Sequence, residues 1–257
     1  MTHAPQLPPE DDWDSYPCRV DDAPASILLN LRFESQAPAD CAATLYWLQI
    51  QLREKADHGM GSAAESEILQ PAEHQITARA EANGFFYVGR LRCGGRWQLL
   101  FYGSEGRLST IQILANELES STGRSVEPGS MLDPSWNYYL NFLLPDTERR
   151  QWMRDQRTVE LLKECGDPLL SPRRVDHWLA FQTALQRDAF VCAVSPGFTI
   201  ECTLDHGEGD FRFGARVHRV DYVDVESIHD VVMDLVQLAK QHGGHYDGWE
   251  TSPLVST

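Results

Sequence analysis

The sequence predicts an α+β protein made of two β-α-β-β-α-β sandwiches joined by a helix. Two observations carry that expectation. Stretches of alternating apolar and polar residues, the period of a strand, interleave with stretches of helical spacing in a similar order in each half of the chain. Between the halves, residues 146–164 read as a connecting helix, with Asp146 as a possible cap, Trp152 and Val159 apolar, and Gly166 as a stop.

The second half is the clearer. Val175, His177, Leu179 and Phe181 alternate with Asp176, Trp178, Ala180 and Gln182. Thr183 and Gln186 form a capping box that opens a helix through Leu185, Ala189 and Ala193, and Pro196-Gly197 stops it. Phe198, Ile200, Cys202 and Leu204 then alternate with Thr199, Glu201 and Thr203. After a Gly-spaced acidic loop around His206, Phe211, Phe213, Ala215 and Val217 mark a third strand. Val225, Ile228, Val231, Val232, Leu235, Leu238 and Ala239 recur at helical spacing, Gly243-Gly244 ends that helix, and residues 245–251 form the last strand. This is the split βαβ order of ferredoxin-like sandwiches.

The first half repeats the order without a residue-level repeat. Residues 27–33 and 45–52 are strand-like and are expected as a hairpin or as neighbouring strands. Ser62 and Glu65 suggest a cap for a helix through Ile68, Leu69, Ala72, Ile76 and Ala80, in which Pro71 marks a kink or a restart. Residues 85–92 and 96–102 flank Gly94-Gly95, a hairpin signal. A helix through Leu108, Ile111, Leu114 and Leu118 follows, then a loop rich in Gly, Ser and Pro, then a strand around residues 136–144. The expected domains are thus 1–145, the helix 146–164, and 165–257.

Charge is the strongest bulk signal: 38 acidic against 22 basic side chains, a net charge of −16. From Asp155 onward there are 17 acids and 9 bases, half of the excess, so both halves share it. Such a field repels a phosphate backbone and attracts a basic partner. Residues 1–14 carry Pro and acid, not the basic start and apolar core of a secretory signal. No stretch approaches the roughly 20 apolar residues of a membrane span. The six cysteines, with no CxxC pair, read as reduced and mostly buried thiols of a cytoplasmic protein.

Chemistry-bearing patterns are scarce. The loop around His206, and the group His242, His245 and Asp247, lack the spacing of zinc or calcium sites, so no metal or cofactor is expected. There is no nucleophile elbow, P-loop or dinucleotide-binding turn. Asp176-His177 looks like a dyad, but strand neighbours point to opposite faces. No catalytic residue is therefore assigned. The face opposite the helices is expected to carry Asp176, Trp178, Glu201, Thr203, Arg212, Arg216 and His218. There Trp178 suits a binding surface, although packing on the first domain or on a second subunit would use the same face. Residues 211–218 lack the exposed alternating aromatics of an RNA-recognition strand, which argues against direct nucleic-acid binding.

The run Cys165-Gly166-Asp167-Pro168, then Arg173-Arg174-Val175-Asp176-His177-Trp178, resembles the opening of the RraB family, regulators of ribonuclease E activity. Arg187-Asp188-Ala189-Phe190, Arg219-Val220-Asp221 and residues 243–251 (GGHYDGWET) resemble it further. The first half, through Tyr87-Val88-Gly89-Arg90 and Asp133-Pro134-Ser135-Trp136, looks like an uncharacterised bacterial domain found fused to RraB. The resemblance implies a non-enzymatic intracellular regulator that binds and inhibits ribonuclease E through its Arg-rich scaffold, a partner that suits an acidic surface. Asp176, Trp178, Asp247, Trp249 and Glu250 are the expected contact residues, though an Asp-Gly-Trp turn also serves simply to close a fold. A different class of function is a small-ligand sensor with its site between the two domains, an expectation from fold analogy alone.

Overall fold

The computed structural model describes residues 10–39, 41–56, 59–205 and 209–254. It separates into two compact units, Met1–Arg149 and Arg150–Thr257.

The first unit contains β1 (Trp13–Val20), β2 (Ala23–Asn30), β3 (Thr44–Gln51), α1 (Ala63–Ala82), β4 (Phe86–Cys93), β5 (Arg96–Gly103), α2 (Leu108–Thr122) and β6 (Val126–Leu132). Its sheet has the order β1-β2-β4-β5-β3-β6 and is antiparallel throughout. Elements β3 to β6 make the expected β-α-β-β-α-β sandwich. A hairpin, β1–β2, extends it past β4, turning at Asp21-Asp22 with φ of 49° and 61°, the left-handed pair that a two-residue hairpin turn requires. Ser62 caps α1 as expected. Glu65 does not reach back to it; its carboxylate turns inward to accept from the backbone N–H groups of Arg53 and Glu54. Pro71 neither breaks nor restarts α1, and its exposed ring lies in an uninterrupted helix.

Four expectations for this unit need correction. β2 and β3 are neither a hairpin nor neighbours: β2 pairs with β4, and the split order seats β5 between β4 and β3. Residues 31–33 are a 3-10 turn capped by Asn30, not the end of a strand. Residues 136–144 are not a strand: Tyr138–Leu143 is a π-helical turn, and Trp136, Tyr139 and Leu143 are fully buried at the three- and four-residue spacing of a helix. The last strand is instead β6, inside the stretch expected to be a loop. β6 is an edge strand, where proline is tolerated. Gly129 there lies under the Trp47 ring, where a Cβ would come within 2.2 Å.

Both faces of this sheet are covered. On one, Tyr46, Leu48, Ile50, Trp97, Leu99 and Phe101 pack with Leu69, Ile76, Leu114 and Leu118 of the helices. On the other, Trp136 stacks on Tyr102 with ring centroids 4.0 Å apart, and Phe33 meets Trp136 and Tyr139. Hydrogen bonds lock that cover down: Tyr16 Oη donates to the Leu143 carbonyl, Tyr139 Oη to that of Asn30, and Trp136 Nε1 to that of Ala42.

The second unit holds α3 (Thr147–Glu164, all but its first turn), β7 (Arg173–Phe181), α4 (Ala184–Val194), β8 (Thr199–Asp205), β9 (Phe213–Asp221), α5 (Val225–Gln241) and β10 (Gly244–Glu250). The sheet order is β10-β7-β9-β8, antiparallel, the ferredoxin-like arrangement the sequence predicts. The capping box of Thr183 and Gln186 opens α4, and Asp224 caps α5. Val175, Leu179, Phe181, Ala215 and Val217 form the helix-side core with Phe190, Ile228, Val232 and Leu235; Val159 and Leu162 of α3 join it. No helix among the described residues of this unit covers the other sheet face.

Candidate protein-binding face

The uncovered face is built from alternate residues of β7 and β9. Asp176 lies opposite His218, and Trp178 opposite Arg216. Asp176 is nearly buried under two guanidinium groups: Arg174 donates to both of its oxygens, at 2.9 and 2.8 Å, and Arg216 Nε donates at 3.1 Å. Hydrogen bonding from Arg174, with help from Arg216, holds the Asp176 carboxyl below its ordinary range despite burial. Arg174 also donates to Glu201, which lies beside His218. The Arg216 guanidinium sits 5.0 Å over the Trp178 ring. Glu250, opposite Asp176 on β10, is two-thirds exposed and only 3.9 Å from Arg216.

Two bulges decide what reaches this face. One in β8, between Ile200 and Cys202, sets Cys202 opposite Arg216 and Thr203 opposite Ala215, on the core side; Thr203 therefore leaves the face assigned to it. The other in β10, between Tyr246 and Gly248, sets Trp249 opposite His177. Trp249 thus packs on the helix side, its Nε1 donating to Asp155 at 3.0 Å. The bulge residue, Asp247, is exposed.

Behind the face lies a buried polar cluster that sequence reasoning missed. Asp155 of α3 is fully buried and gathers Gln151 Nε2, Trp249 Nε1 and His229 Nδ1 within 3.0 Å. His177 is fully buried, its Nδ1 2.8 Å from Tyr246 Oη, and burial pushes its pKa down to about 4. It is therefore a neutral core residue at neutral pH, apart from Asp176 on the other face.

Phe211 was missed as a surface residue. The alternation that places it in the core row begins only at Phe213. Phe211 precedes β9, is 37% exposed, and stands edge-on to His245 with centroids 4.4 Å apart. With Trp178, Ala180, Gly214 and Asp247 the two rings line a pocket of about 200 Å³. A broader depression of about 800 Å³ runs along Arg174, Asp176, Glu201, Arg216 and Glu250.

Among the described residues, no group of three or more His, Cys, Asp or Glu side chains is placed to hold a metal ion; His206 lies outside them. No helix among them is long and apolar enough to cross a membrane. The six cysteines are unpaired, but contrary to expectation none is buried: Cys41, Cys165 and Cys192 are exposed and the others half-exposed. Cys18 and Cys93 lie near strand ends, Cys41, Cys165 and Cys192 in a turn or towards helix ends, and Cys202 on the open face of β8, where a small thiol is only partly enclosed.

Comparison with known proteins fits this geometry. Residues 152–251 match the profile of "Regulator of ribonuclease activity B" (RraB). The protein of that name from Alteromonas mediterranea is 32% identical, over 40% of this chain and 82% of its own length. The chain belongs to the RraB family. Its first unit, over residues 11–144, belongs to a family of unknown function, DUF695. Much of the RraB resemblance rests on residues that build the fold. Asp167 pairs with Arg173 and accepts from the backbone N–H of Leu254 at 2.7 Å, tying the start of β7 to the chain after β10. His177 with Tyr246, and Trp249 with Asp155, fasten β7, β10 and α3 together.

Proposed function

We propose that this protein is a non-enzymatic cytoplasmic regulator that binds a basic segment of ribonuclease E and lowers its activity. The observation that carries this reading is the helix-free sheet face of the RraB unit. It presents Trp178 amid two arginines, Arg174 and Arg216, and four carboxylates, Asp176, Glu201, Asp247 and Glu250. The arginines are engaged with Asp176 and Glu201, whereas Asp247 and Glu250 are exposed. An incoming arginine therefore meets exposed carboxylates at the edge of the face, Asp247 and a Glu250 held only by a 3.9 Å contact to Arg216, in the field of a chain with net charge −16. Of the five expected contact residues, Trp178, Asp247 and Glu250 are offered to the partner. Asp176 and Trp249 act from behind, the first holding the arginines in place and the second anchoring β10.

Titration calorimetry of the full-length protein against the Arg-rich, non-catalytic half of ribonuclease E tests the reading. Binding should weaken steeply with salt and should weaken in Asp247→Lys/Glu250→Lys. No heat of binding at low salt refutes ribonuclease E as the partner. Asp176→Lys is a poor probe, because it sets a third cation between Arg174 and Arg216 and disturbs the sheet itself.

A further inference from the structure

We infer that the pocket formed by Trp178, Phe211, His245 and Asp247 is an arginine-side-chain receptor, the specificity-determining point of the binding face. The inference rests on the reading that a basic protein segment docks here, and it adds where and how one residue of that segment is held. At about 200 Å³ the pocket is below the about 300–1,000 Å³ of typical small-ligand sites, and its size suits a single side chain. Its walls are aromatic: Trp178 on β7, then Phe211 and His245, which are fixed edge-to-face to each other. Ala180 and Gly214 face each other across β7 and β9 and leave its floor low. Asp247 stands at the rim because the β10 bulge turns it outward.

A planar cation between aromatic rings with a carboxylate at its edge is the arrangement that favours guanidinium over ammonium. Guanidinium stacks on ring faces, is weakly hydrated and donates in a fork to carboxylate. The same Trp178 ring already carries the guanidinium of Arg216, so this face of the protein stacks guanidinium groups in its free state. Asp210 and the −8 balance of the chain from Asp155 onward add long-range attraction.

Three synthetic decapeptides test the inference with the full-length protein, independently of ribonuclease E: one rich in arginine, one with lysine in its place, and one with uncharged citrulline. Affinity is read by calorimetry at about 0.15 M salt. The arginine peptide should bind about tenfold tighter than the lysine peptide, and the citrulline peptide should not bind. Ala180→Phe, which fills the pocket without touching a charge, and Phe211→Ala should each weaken the arginine peptide by about tenfold. Thermal unfolding of each variant confirms that it is folded. Equal affinity for the arginine and lysine peptides, undiminished binding by both variants, or no binding of the arginine peptide by the wild type overturns the inference. If the arginine peptide binds as expected but ribonuclease E does not, the receptor stands and only the partner's identity falls. If ribonuclease E binds equally well to wild type and Ala180→Phe, the partner stands and the receptor falls.

Discussion

The two units share one four-strand frame, extended by the β1–β2 hairpin in the first, and treat its second face in opposite ways. In the DUF695 unit that face is sealed by the turn at residues 31–33 and the π-helical Tyr138–Leu143, with Trp136 stacked on Tyr102. In the RraB unit the equivalent face has no such cover among the described residues. Its tryptophan, Trp178, is left half-exposed beneath Arg216. A tryptophan with all its surface buried stabilises a fold, whereas one held by its strand with a ring side exposed is available to a partner. The β-α-β-β-α-β frame therefore does not itself specify binding; the segments after β2 and β6 remove the face from use in one unit.

Removing Trp136 should break this contrast most visibly. Trp136→Ala opens a large cavity between cover and sheet and should cost the first unit roughly 3–5 kcal/mol, read as faster hydrogen exchange in peptides of β4, β5 and residues 136–144. An unchanged exchange pattern would mean that the cover is not holding the face. Asp155→Ala should cost the second unit about 3 kcal/mol, because His229 and the Trp249 indole lose their buried acceptor. Asp155→Asn, which keeps an acceptor, should lose clearly less. Equal losses in the two variants would point to packing and not to the hydrogen bonds.

Acid should separate the units as well. His177 has its pKa lowered from an ordinary 6.5 to about 4 by burial, so the unfolded chain binds the proton first. Its contribution is complete above pH 6.5 and is lost as pH falls from there to about 4, about 3 kcal/mol in all. The first unit has no buried histidine among its described residues. Its buried carboxylates with lowered pKa, Glu65 and Asp133, act only below their ordinary 4.5 and 3.8. Between pH 6.5 and 4.5, urea unfolding followed by exchange should therefore weaken the RraB unit alone, and His177→Phe should flatten the slope. Parallel loss in both units would contradict the assignment. The smallest stability effect belongs to Trp178→Ala, expected below about 1.5 kcal/mol because the ring is only half-buried, with the loss appearing in partner affinity instead.

How much of this was legible in the sequence follows from which faces are wet. The RraB unit has one dry and one wet face, so Val175 to Phe181 alternate cleanly and the strand is plain. In the first unit both faces are dry, and Leu99-Leu100-Phe101-Tyr102 are all buried, a run with no period to read. Strand β1 carries Asp14, Ser15, Pro17 and Arg19 and gives little apolar signal, and β6 holds Pro128 and Gly129. The spacing of Trp136, Tyr139 and Leu143 was present but resembles a strand when its aromatic neighbours are counted with it. In the binding face, Asp176, Trp178, Arg216 and His218 could be placed by alternation alone. Trp249 and Thr203 could not, because a single bulge residue inverts every position after it, and bulges leave no reliable mark in a sequence. Asp155 joins residues 74 and 94 positions away, a closure that only the fold supplies.

Regulation is tested most directly by RNA cleavage with purified full-length ribonuclease E and this protein in stoichiometric excess at near-physiological salt. Cleavage should slow, should recover as salt is raised, and should not slow with Asp247→Lys/Glu250→Lys. A cleavage rate unchanged by the wild-type protein would contradict regulation.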